Sequence, residues 1–137
     1  PAPERPATTP LLDGLLAAVV PSAVLVGGYL LHAGGQAPGG AFQAGAVLAA
    51  AGVLLALSGR LAPIRDPLPM QRLLLVLGIL VFLALGAWPA LQGSGALMAL
   101  PGTWAVYAIE TAMTVSIGMT LVLLFLGSAG LRRRVGG

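Results

Sequence analysis

Cysteine and lysine are absent from the 137 residues, there is one histidine, and charged residues make up only 8%. Without cysteine, and with His32 as the lone imidazole, the chain cannot build a disulfide, an iron–sulfur cluster or a conventional zinc site from its own side chains. No metal or cofactor is therefore expected. A Walker phosphate loop, a Gly-x-Ser-x-Gly nucleophile elbow and the glycine spacing of a dinucleotide fold are also missing. No catalytic residue is assigned, and an independent enzyme is not expected.

What the chain has in abundance is apolar side chains. The hydrophobic fraction is 58% and the mean hydropathy is +0.97, far from the balance of a water-soluble domain. Its seven basic residues, all arginine, give a net charge of +3 against four acids. They cluster at the ends of apolar runs and accompany no aromatic-basic stripe. They therefore read as topology determinants facing a lipid bilayer, not as a nucleic-acid surface.

Four stretches are long enough to cross a bilayer core, which takes about 20 residues. They are residues 11–31, 42–58, 71–88 and 103–126. The expected fold is an all-α integral membrane bundle of four transmembrane helices over residues 11–127. A short irregular N-terminal tail over residues 1–10 and a basic C-terminal tail over residues 128–137 flank it. The first run is longer than the core of a cleavable signal, so it reads as a span, and Pro21 is a candidate kink within it. Arg60, Arg65 and Arg72 surround the connection between the second and third spans, and Arg132, Arg133 and Arg134 follow the fourth. The other two connections carry no basic residue, so both termini are expected in the cytoplasm.

The second span repeats small residues at intervals of three and four, at Gly45, Ala49, Gly52, Ala56 and Gly59. Such a stripe lets a neighbouring helix approach closely, and packing within the chain is the simplest use for it. The third span, rich in leucine from Leu73 to Leu83, shows no chemistry.

The break before the second span is Gly35-Gln36-Ala37-Pro38-Gly39-Gly40-Ala41-Phe42-Gln43-Ala44-Gly45. Pro38 disfavours helix at Ala37, and the two glycines after it allow a tight reversal. An ordinary loop between membrane helices would satisfy these physics. The segment also resembles a Pro-Gly-Gly-Gly-Phe-x-x-Gly pattern, preceded by a Gly-His pair, that opens the second helix in the MnhB/MrpB family, small membrane components of multisubunit Na+/H+ antiporters. Pro38, Gly39, Gly40, Phe42 and Gly45 match, with Gln43 inside the motif. Ala41 replaces the third glycine, and Gly35 stands where the family generally has histidine. The four-span layout and the segment Tyr107-Ala108-Ile109-Glu110-Thr111 extend the likeness, since related chains also carry a glutamate in a late helix.

Glu110 is the only acid well inside an apolar span. A carboxylate away from water must be protonated, paired or exposed to a hydrated cavity, which makes Glu110 a candidate proton or cation site. Thr103, Tyr107, Glu110, Thr114 and Gly118 fall on one helix face, and Thr111 adjoins the carboxylate in sequence. Hydroxyls beside a carboxylate suit Na+ coordination or proton relay. The plainer alternative is a glutamate paired with a basic side chain of an adjacent subunit. His32, at a membrane boundary, reads as a polar interface residue, and Asp13 suits the N-terminal end of the first helix.

The resemblance implies a small membrane subunit of a multisubunit Na+/H+ antiporter in a prokaryotic plasma membrane. Its partners would be other membrane subunits, its transported ions Na+ and H+, and its role part of the ion-translocation or coupling module. The equivalent subunit of a membrane-bound hydrogenase or related redox-driven pump, or a purely structural scaffold, are the alternatives. Because the chain has no native cysteine, single substitutions report orientation cleanly. Arg60→Cys should react with a membrane-impermeant thiol reagent only from the cytoplasmic side, and Gln92→Cys only from the opposite side. The reverse labelling pattern would invert the topology.

Overall fold

The computed structural model describes residues 9–34, 39–61, 69–93 and 102–135, with side chains to Gly127 in the last stretch. The expectations for residues 1–8, for Gly35 to Pro38, for Arg65 and Asp66 and for the 94–101 connection lie outside these residues, as do the side chains of Arg132, Arg133 and Arg134. Four helices make up the described chain: α1 (Pro10–Gly34), α2 (Gly40–Leu57), α3 (Pro69–Leu91) and α4 (Thr103–Val135). All four are long and apolar enough to cross a membrane, α4 by its Thr103–Gly127 portion.

α1, α3 and α4 outrun the apolar stretches that announce them, while α2 begins earlier and ends at Leu57. α1 continues through His32 to Gly34, α3 runs past Trp88 to Leu91 with Pro89 inside it, and α4 carries its helical backbone through Arg132, Arg133 and Arg134. Polar or small residues near an end cost a helix little, because hydrogen bonding along the backbone does not depend on the side chain. Pro21 is accommodated within α1 as one continuous helix. Its missing N–H leaves one carbonyl of the preceding turn without a helical donor.

Glycine conformation fixes both ends of α2. Gly39 holds φ at 103° immediately before the helix, where a side chain is disfavoured. At the other end Gly59 (φ 71°) closes a Schellman turn: its N–H donates to the Ala56 carbonyl, and the Arg60 N–H donates to that of Leu55.

Contacts between elements set the order α1, α2, α4, α3 across the molecule: α2 packs on α1 and α4, α3 packs on α4, and α1 reaches α4 over a short stretch. Among the described residues α3 touches neither α1 nor α2. α1 and α2 form an antiparallel hairpin, closed at one end by the approach of Gly34 to Gly40 and at the other by Arg60 Nη2 on Asp13 Oδ1 at 2.5 Å. The pair is roughly half exposed, so its contribution to stability is small, about 1 kcal/mol or less. α2 and α4 run parallel, since Gly45 meets Thr114 and Ile117 while Gly52 meets Val122. α3 returns antiparallel along α4, with Leu75 against Ser116 and Gly78 against Met113.

The core is built from small side chains. Ala44, Ala49, Ala51, Ala105 and Ala112 are buried together with Leu16, while large apolar residues on every helix face outward, as a lipid-facing surface allows. Tyr29, Phe42, Trp88 and Trp104 are all exposed and lie toward the helix ends that share the α1–α2 corner, the position of an interfacial aromatic belt. Arg60 and exposed Arg72 lie at the other end.

Close approach of backbones replaces bulky interdigitation here. A Cβ on Gly45 would stand 2.9 Å from Ile117 Cγ2 and 3.0 Å from the Thr114 carbonyl oxygen, whereas one on Gly14 would meet nothing within 4 Å. Gly45→Val should therefore part α2 from α4 and cost about 1–3 kcal/mol, read as a lower melting temperature of the detergent-solubilised protein. Gly14→Val provides the comparison; equal behaviour of the two variants would refute the close-packing account.

Candidate ion site at the head of α2

The register between α2 and α4 decides where Glu110 sits. With Gly52 level with Val122 and Gly45 level with the Thr114 to Ile117 turn, Glu110 stands level with Gly40, the first residue of α2. The first seven residues of α4 thus project beyond α2 by roughly 10 Å at the standard helical rise. Glu110 lies at the foot of that overhang and about 9 Å along the helix from exposed Trp104.

Thr114, one turn further on, ties this point to α2. Its hydroxyl is within reach of two carbonyl oxygens, that of Glu110 at 2.8 Å and that of Ala41 across the helix interface at 3.3 Å, and the residue is 3% exposed. The two features that stood out separately along the sequence, the glycine corner and the polar face of α4, are therefore one place. Gly118 continues the face against Gly45 and Leu48. On the other side of Glu110, Tyr107 stacks on His32 of α1, with ring centroids 6.1 Å apart and ring planes 6° from parallel.

Glu110 itself is half-buried. Its Oε2 is closed off from solvent and has no hydrogen-bond partner among the described residues. A buried carboxylate oxygen without a partner is costly, by about 1–3 kcal/mol or more for a charged group. α2 carries no acidic residue in its own first turn, so Glu110 is the acid that stands level with the positive end of that helix dipole. The described residues contain no cluster of three metal-ligating side chains.

The remaining candidate residues divide. Thr111 faces outward and donates to the Tyr107 carbonyl of its own helix at 2.7 Å, so the structure does not bring it to the site. Phe42 is 62% exposed and Gln43 is also exposed. The Gln43 amide lies over Gly39, where an added Cβ would come within 3.3 Å of it. Gly39 and Gly40 shape the corner, Gly45 and Ala49 are buried, and Gly52 lies against Val122, so this stretch of the stripe serves packing within the chain. Ala56 is half-buried toward the far end of α2. Sequence reasoning missed the stack of His32 on Tyr107 and the Ala41 carbonyl, because neither contact leaves a mark in spacing along one helix.

A family model described as the domain related to the MnhB subunit of Na+/H+ antiporters matches residues 11–129. The chain belongs to this family. It is thus a multi-pass membrane protein of the MnhB-related type, and the match covers all four spans together with the corner and the Glu110 turn. No match was found among curated proteins or among solved structures.

The two threonines offer a test of this geometry. Thr114→Val keeps the shape but removes the link to α2, and should destabilise the protein by about 1 kcal/mol. Thr111→Val, whose hydroxyl serves only its own helix, should leave the melting temperature unchanged. Equal shifts from the two variants would contradict the placement of Thr114 at the interface.

Proposed function

We propose that this chain is a small membrane subunit of a multisubunit Na+/H+ antiporter, and that Glu110 is its ion-carrying carboxylate. The family supports the first part. The observation that supports the second is the Glu110 Oε2 atom, buried and without a partner among the described residues at the point where α4 overhangs α2. A carboxylate so placed has the free coordination that a travelling proton or cation requires, and Thr114 fixes the turn that presents it. The chain would work beside larger membrane subunits in the cytoplasmic membrane of a prokaryote, with its arginine-rich end on the cytoplasmic side.

The same unpartnered oxygen favours a second reading, in which a basic side chain of an adjacent subunit pairs with Glu110 and holds the complex together. A corresponding subunit in a redox-driven pump would carry the same site with a different energy source; the family description favours the antiporter.

Glu110→Gln separates these readings, because it keeps size and hydrogen bonding and removes the charge. In the assembled complex in membrane vesicles, Na+-driven proton exchange should fall about tenfold or more with subunit co-purification unchanged. Parental exchange by a correctly assembled variant would remove the ion-carrying role. Loss of the partner subunits on purification would instead support the pairing role.

A further inference from the structure

The residues around Glu110 form a series graded by exposure. His32, in the last turn of α1, is exposed; Tyr107, one turn before Glu110 on α4, is half-buried; the Glu110 Oε2 atom is fully enclosed. The near-parallel rings of His32 and Tyr107 link the first helix to the overhanging turn of the last. This contact sets an imidazole of α1 against the ring that stands one turn before Glu110 on α4.

The titratable groups of the neighbouring elements are few. α2 contains none in its 18 residues. Besides His32, α1 has Tyr29 toward this end, 68% exposed, and Asp13 at its opposite end. α4 offers Tyr107 and Glu110 toward this end, its Arg132, Arg133 and Arg134 standing at the opposite one, and among the described residues α3 does not touch α1. By type, imidazole and carboxyl groups exchange protons at or below neutral pH, whereas a phenol does so only far above it. His32 and Glu110 are therefore the imidazole and the carboxyl group of this corner among the described residues, with Tyr107 stacked on the first and one turn before the second on α4.

We propose that His32 passes protons between the aqueous face and Glu110, with Tyr107 as the residue that positions its ring. On the way in, an N–H bond of the imidazolium breaks and an O–H bond forms on the Glu110 carboxylate, the proton passing through intervening water. Neutral imidazole remains, and it takes a new proton from water at the exposed face. The outward step reverses these transfers. One proton moves per cycle, and no oxidation is involved. The role rests on the reading of Glu110 as an ion carrier and gives that carrier a specific cargo, the proton, and a specific donor.

The test uses the whole complex in vesicles, with Na+-driven proton exchange measured across a pH series. His32→Ala should slow exchange about tenfold or more, and imidazole added on the His32 side should restore a large part of the rate while leaving the parent unchanged. His32→Gln, which keeps a planar polar side chain but cannot take up a proton in this range, should be similarly slow with assembly intact. Imidazole should not rescue Glu110→Gln. Parental exchange by His32→Gln, or a loss in assembled His32→Ala that imidazole does not relieve, would overturn the proposal; should His32→Ala fail to assemble, the His32→Gln rate decides. If Glu110→Gln also exchanges normally, the ion-carrier reading falls too. If Glu110→Gln is inactive while His32→Gln is unaffected, the His32 role falls alone.

Discussion

The arrangement depends on how closely the backbones of α2 and α4 approach one another. At Gly45 there is no room for a side chain between α2 and the Thr114 to Ile117 turn, and this contact fixes both the spacing and the register of the two central helices. From that register follow the reach of the Thr114 hydroxyl to the Ala41 carbonyl, the position of Glu110 at the head of α2 and the meeting of His32 with Tyr107. The opposite face of α4 repeats the device with Gly78 of α3 against Met113. Without a hydrophobic driving force between helices in lipid, close packing of this kind is what gives one arrangement an advantage over others.

Polar side chains in the helices are handled by the same backbone. Ser22, Ser58, Thr111 and Thr120 each donate to a carbonyl three or four residues earlier, and Ser116 donates across to the Leu75 carbonyl. A hydroxyl satisfied in this way can face hydrocarbon at little cost. Against that background, Glu110 Oε2 is the buried side-chain atom among the described residues that is left without a partner. The contrast with the satisfied hydroxyls around it is what separates Glu110 from the rest of the polar face.

Much of this was legible in the sequence, for physical reasons that differ from place to place. Four apolar runs of spanning length give four helices because hydrocarbon admits few other ways to satisfy a backbone. The stripe from Gly45 to Gly52 was readable as a packing surface because small residues at helical spacing have a direct steric meaning. Glu110 stood out because a carboxylate in an apolar run is rare. What the sequence did not carry was anything that joins two helices. Helical spacing puts Thr114 on the Glu110 face and leaves Thr111 beside it, but it does not say that this face meets the Ala41 carbonyl of α2. The true length of α1, α3 and α4 was also hidden, since hydropathy marks where lipid begins, not where the helical backbone stops.

The order α1, α2, α4, α3 has a consequence for how the chain is made. Synthesis delivers α1, α2 and α3 before α4, yet among the described residues α3 makes no contact with the α1–α2 hairpin. Until α4 enters the bilayer, the nascent protein is a hairpin and a separate helix adrift beside it. The helix that leaves the ribosome after the other three is the one that joins α2 to α3, so the bundle closes only when α4 arrives.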